Sequence, residues 1–171
     1  MVGITSYGAY IPFNRMPRSM VSQAWDNPAL GGPGELAIKN FDEDCLTMAV
    51  EASIDCLKGV DRSKVDGFYL ATTNFPYKEK KRIMYTDGGV DLRADIRTAD
   101  FANSLRVGIS ALLSAIDAIN AGSMKNALVA ASDSRPTEVN GDFEVTFGLS
   151  AGYYQVKSAV PHYEIIGTYS I

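Results

Sequence analysis

The chain has 171 residues, 46% of them apolar, which is enough for one globular domain with a sizeable core and carries no compositional sign of disorder. Sixteen basic and twenty acidic residues leave a net charge of −4, which argues against nucleic-acid or anionic-membrane binding through bulk charge. Any phosphate-bearing ligand must therefore be met locally. The start, "MVGITSYGAYIP", lacks a basic stretch followed by an apolar run, and no segment reaches the ~20 apolar residues that span a bilayer. A cytoplasmic protein is expected.

Residues 2–11, with Val2, Ile4, Tyr7 and Ile11 set among glycines, predict a first strand ending at Pro12. The following stretch to residue 42 holds several prolines and the run Gly31-Gly32-Pro33-Gly34. It predicts a short helix around Met20–Trp25 and a loop through 26–40. No strand leads into the glycines and no Lys-Ser follows them, so they read as a connector and not as a phosphate cradle.

Asp42, Glu43 and Asp44 precede an apolar helix, where acids complement the partial positive charge of its first turn, and Lys58-Gly59 forms its stop. Cys45 and Cys56 both lie on this helix. Eleven residues of helix separate their Cα atoms by roughly 16 Å, so they cannot pair, and three turns put both on one face as buried thiols. His162 is the only histidine and no further Cys stands at ligand spacing, which disfavours a metal site.

Residues 65–73 and 94–101 predict two strands, the second following the turn signal Asp87-Gly88-Gly89. Leu105 to Ala121 predict a helix of Ala, Ser, Gly, Leu, Ile and Val that is buried on most sides and ends at Gly122. Asn103 or Ser104 supplies its expected N-cap. Residues 126–132 read as the next strand, and two further strands are expected in "VTFGLSAGYYQVKS" and "HYEIIGTYSI". Alternating elements of this kind indicate an α/β domain with a mixed sheet covered by helices and a buried central helix. The chain stops inside a strand-like segment, which fits a piece of a longer fold.

The sharp step from strand to helix through Asn103-Ser104-Leu105-Arg106 is the type of bend on which enzymes mount a nucleophile. Together with "GITSYGAYIP", "FDEDCLTMAVEA", "DGFYLATTNFPYKEK" and "ALVAASDSR…FEVTFGLSAGYYQV", the bend "TADFANSLRVGISAL" resembles the N-terminal half of thiolase-superfamily condensing enzymes. The resemblance is nearest to 3-hydroxy-3-methylglutaryl-CoA synthases and β-ketoacyl-ACP synthase III, and it covers essentially the whole chain. It implies one half of a fold built from two similar α/β halves, usually a homodimer, which joins acyl thioesters through an acylated cysteine at a helix N-terminus. A glutamate of the first half then serves as acid/base, and a histidine comes from the second.

Aligned on Gly108, the place of that cysteine falls on Leu105, between Asn103-Ser104 and Arg106, and leucine has no nucleophilic atom. Asn74 falls near the place of the glutamate, and an amide exchanges no proton at neutral pH. Leu149 in "FGLSAG" replaces an acidic residue of the family's glycine turn. Ser104 is the remaining candidate nucleophile, with no base evident beside it. Arg106 either meets a substrate carboxylate or CoA phosphate, or pairs with an Asp such as Asp100 or Asp133. Lys78, Lys80, Lys81 and Arg82, in "KEKKR", either hold CoA phosphates or form a solvated loop.

Two functions follow. The chain is either a condensing acyltransferase half that needs a second half, or a non-catalytic subunit that binds acyl-CoA or scaffolds a thiolase-like partner. Acyl-CoA is the expected substrate or ligand in both, with no permanently bound cofactor. An isolated half should expose an apolar face and so form a homo-oligomer or join a thiolase-like second subunit.

Overall fold

The computed structural model describes residues 2–76, 89–136, 138, 140, 141 and 144, and the backbone of 151–158. Strands β1 (Val2–Tyr10), β4 (Gly67–Ala71), β5 (Arg97–Phe101), β6 (Asn126–Ser132) and β7 (Ala151–Ser158) form a five-stranded sheet in the order β1-β7-β6-β4-β5. The three strands β4, β5 and β6 run parallel, and β7 is antiparallel to both β6 and β1. This is the mixed sheet that the alternation of elements predicts.

Every residue of β4 is buried, because helices cover both faces of the sheet. Phe68 and Leu70, with Leu128 and Ala130 of β6, pack beneath α2 (Cys45–Cys56) in one core. Tyr69 and Ala71, with Ala127 and Val129, point the other way and pack beneath α3 (Val107–Asn120). The period of two along each strand thus feeds two separate cores. Burying a side chain such as Phe68 contributes about 2–3 kcal/mol.

Three expectations change. Loop 26–40 contains strand β3 (Glu35–Ile38), which pairs antiparallel with β2 (Asn14–Pro17), and a single 3-10 turn at Pro28–Leu30. With α1 (Arg18–Ala24) these elements enclose a small core of Val21, Leu30 and Leu36, which the prolines and glycines of this stretch conceal in the sequence. In β1 only part of the apolar set reaches the core: Val2 and Tyr10 are half-buried against it, Gly8 is buried, and Ile4 and Tyr7, like Ile11 just after the strand, are exposed. Helix α3 is buried along one stripe, Val107, Ala111, Ala115 and Ile119, while Ile109 and Leu113 are about half exposed, at 54% and 52%. Small and apolar residues all round a helix therefore do not mean burial all round within this chain.

Candidate functional site

Parallel β4, β5 and β6 release their C-terminal ends on the same edge of the sheet, where α/β proteins gather their site loops. Three loops converge there: 72–76 after β4, the bend 102–106 after β5, and 133–136 after β6. Thr72 N donates to Phe101 O at 3.0 Å, carrying the β4–β5 pairing one step into the loops. A Cβ on Gly108 would stand 3.3 Å from the Cβ of Ala131, so the first turn of α3 lies close against the end of β6.

The bend itself is tightly turned. Asn103 has a φ of +66°, in the left-handed region where asparagine is one of the few tolerated side chains. Ser104 Oγ accepts from Arg106 N at 3.2 Å and Ser104 O accepts from Val107 N at 3.3 Å. Helix α3 proper has Arg106 at its N-cap position and no side-chain cap, so Asn103 does not serve as the expected cap and Ser104 caps only the turn before the helix. The reason is that the chain spends Asn103 on reversing direction. All four bend residues are exposed, Leu105 at 78%. Arg106 makes no ion pair among the described residues, which removes the expected pairing with Asp100 or Asp133. No base among the described residues bonds to Ser104 Oγ.

Asp133 Oδ1 is occupied elsewhere. It accepts from Thr72 Oγ1 at 2.8 Å, from Thr73 N at 2.6 Å and from Thr73 Oγ1 at 3.0 Å. Thr72 Oγ1 in turn accepts from Asn74 N at 3.2 Å, and Asn74 Nδ2 donates to Ser134 O at 3.4 Å. Cys45, the first residue of α2, donates its thiol to Asn74 O at 3.5 Å. A cleft of about 250 Å³ opens here, lined by Cys45, Asn74, Ser134, Arg135 and Lys39 among others.

Burial pushes the Cys45 thiol up to about 11. The charges of Asp44 and Asp133 add to that rise, while a bond to Thr72 and one to the Cys45 backbone oppose it without overcoming it. Cys45 and Cys56 are 2% and 1% exposed and do not form a disulfide with each other, as the spacing along α2 predicts. Asn74 is thus held from the α2 side of the sheet, while the bend leads into α3 on the other face. No hydrogen bond joins Asn74 to Asn103–Arg106.

A second cleft, of about 510 Å³, lies along α2 and is lined by Tyr10, Asp42, Glu43, Thr47, Met48, Val50 and Glu51. Its three carboxylates repel phosphate groups. Neither cleft is lined by the bend residues. Lys78, Lys80, Lys81, Arg82, Leu149 and His162 lie outside the described residues. The described residues hold no group of His, Cys, Asp and Glu that could bind a metal ion, and no helix long and apolar enough to cross a membrane.

Sequence reasoning overlooked Asp133 as a site residue in its own right. It stands directly after the buried strand β6, at the end of a parallel strand, and that position is the signal that could have found it.

No family model matches the chain. Solved structures share its architecture: MvaS in complex with 3-hydroxy-3-methylglutaryl coenzyme A superposes with a TM-score of 0.82 at 24% identity, over 91% of this chain and 40% of that one. The 3-oxoacyl-[acyl-carrier-protein] synthase III of Aquifex aeolicus superposes at 0.77 and 21%, over 93% and 54%. The fold is therefore thiolase-like, a mixed sheet clothed by helices with its loops gathered at one edge.

Sequence comparison narrows the relationship. The hydroxymethylglutaryl-CoA synthase of Caldivirga maquilingensis is 31% identical over 175 aligned positions, covering 98% of this chain and 50% of the relative. That of Pyrococcus furiosus is 27% identical, covering 99% and 49%. The chain has a thiolase-like fold and is similar in sequence, along nearly its whole length, to hydroxymethylglutaryl-CoA synthases. It spans about half the length of the curated relatives it matches.

Proposed function

We propose that this chain is an acyl-CoA-binding half of a condensing protein of the hydroxymethylglutaryl-CoA synthase type, and that it binds the thioester without becoming acylated. The observation that carries this reading is the exposure of Leu105 on the bend, at the position to which the family resemblance assigns the nucleophile. The two thiols of the chain are buried along α2, and the one nearer the site is held protonated far above neutral pH. A thiol in that state is a poor nucleophile. Ser104 has no base to activate it among the described residues, so the helix end is left to polarise a bound thioester carbonyl.

Charge supports the placement of the ligand. Lys39 and Arg135 border the cleft at Asn74, and Arg106 stands exposed at the N-cap of α3. Lys39 and Arg106 each offer a cation to a phosphate or carboxylate. The complexed neighbour holds 3-hydroxy-3-methylglutaryl coenzyme A, which favours an acyl-CoA ligand here.

This reading also assigns a partner. Ile109 and Leu113, four residues apart on the outer face of α3, are exposed, and so is Leu105 on the bend just before the helix. A second thiolase-like half, from another chain or from a copy of this one, is the occupant that would bury them.

The test is an intact-mass measurement after incubation with isotopically heavy acetyl-CoA, on the parent chain, Ser104→Ala and Leu105→Cys. No adduct on the parent and one acetyl group on Leu105→Cys is the expected result. An adduct on the parent that Ser104→Ala abolishes would overturn the reading and make Ser104 the nucleophile.

A further inference from the structure

We propose that Asp133 is the positioning residue of the site, a latch whose carboxylate fixes the loop after β4 to the loop after β6 and thereby sets the opening of the Cys45–Asn74 cleft. The inference deepens the acyl-CoA reading above and rests on it for its ligand.

One oxygen of Asp133 takes three donors, two of them hydroxyls and one a backbone N–H, all from Thr72 and Thr73. Bonds to an ionised acceptor are stronger than neutral ones, and these join residues 60 and 61 positions apart in the chain. A neutral bond, from Asn74 Nδ2 to Ser134 O at 3.4 Å, joins the same two loops beside them. The latch is relayed further, since Thr72 Oγ1 both donates to Asp133 and accepts from Asn74 N. Asn74 then meets both walls of the cleft, Ser134 O through its amide and Cys45 Sγ through its carbonyl oxygen. A single carboxylate therefore orders a ring of groups that spans the two loops and the start of α2. Thr72 is fully buried, so its hydroxyl has no access to water as a substitute partner if Asp133 is removed.

The latch has a built-in reporter. Cys45 is shielded by the loops that Asp133 joins, whereas Cys56, at the far end of α2, is shielded by β1 and bonds Ser6 Oγ at 3.3 Å. Loosening the latch should expose the first thiol and leave the second protected, and only global unfolding should expose both.

The experiment measures alkylation of each cysteine by iodoacetamide, resolved by peptide mass, together with acetyl-CoA affinity by calorimetry. It compares the parent with Asp133→Ala, Asp133→Asn and Thr72→Val. Asp133→Ala should raise the Cys45 rate by about tenfold or more and weaken acetyl-CoA binding by a similar factor, with the Cys56 rate unchanged. Asp133→Asn keeps an oxygen acceptor for Thr73 N and should restore most of both readouts.

Unchanged Cys45 protection and affinity within twofold of the parent in Asp133→Ala would overturn the latch. If Asp133→Ala exposes both thiols, the fold has opened and Thr72→Val decides: faster Cys45 labelling alone supports the latch, and parent-like labelling refutes it. A parent chain that binds no acetyl-CoA refutes the ligand assignment, and the alkylation arm still tests the latch.

Discussion

Asp44 and Thr47 cap α2 reciprocally. Asp44 Oδ1 accepts from Leu46 N and Thr47 N, each at 2.8 Å, while Thr47 Oγ1 accepts from Asp44 N at 2.7 Å. Two of the otherwise unpaired donors at the helix start, and the cap residue's own N–H, are thereby satisfied. Asp44→Ala should cost about 1 kcal/mol of stability, and Asp44→Asn much less, when unfolding is followed in urea by circular dichroism. Equal losses for the two would show that charge, and not the cap bond, matters.

Gly8 lets β1 lie directly on α2. A Cβ there would collide with Cys56 N and stand only 2.6 Å from Ala52 O, and backbone cannot move aside as a side chain can. Gly8→Ala should therefore destabilise by about 3 kcal/mol, at the upper end of overpacking costs. Gly3→Ala in the same strand meets nothing within 4 Å and serves as the control for strand propensity. A similar midpoint for the two variants in denaturant would contradict the packing argument.

Alkaline pH should weaken the fold. Burial raises the Cys45 thiol to about 11, and the bond to Glu43 raises the Tyr10 phenol to about 12. Each group keeps its proton in the native chain after the unfolded chain has lost it, so the unfolded state binds fewer protons and stability falls as pH rises. The fall starts near the unfolded thiol value of about 8.5 and, for Cys45, ends near 11. Thermal melts of the parent and Cys45→Ala across pH 8 to about 11.5 give the check: the variant should show the shallower decline.

The chain should associate through the outer face of α3. Ile109→Glu combined with Leu113→Glu places two charges on a face that contributes nothing to the core, so the fold should survive while the assembly is lost. Light scattering at matched concentrations reads the result. A monodisperse monomer for the parent, or an unchanged mass for the double variant, would remove α3 as the interface.

The sheet and its two helices were legible because each depends on local pattern: the buried run of β4, the acidic start of α2, the glycine stop of α3. Exposure was less legible. Ile4 and Tyr7 of β1 and Ile109 and Leu113 of α3 look like core in sequence, yet they are exposed, because which side of an element meets the core depends on tertiary packing and not on local pattern. At the site, the bend around Leu105 could be read from the step between strand and helix. The bonds of Asp133 could not, because they join residues some 60 positions apart and follow only from the parallel pairing of β4 with β6.

That pairing has a further consequence, for the order in which the chain assembles. Strand β4 meets β5 across 30 residues and β6 across 60, and β1 waits for β7 across about 150. Such separations make a high contact order, and loop-closure entropy must be met before distant pairs reward it. During synthesis the first strand remains without its neighbour until nearly the whole sheet has emerged, leaving open strand edges that invite mispairing. A chain of this topology should fold slowly and gain yield from chaperones or low temperature, whatever the sturdiness of its finished core.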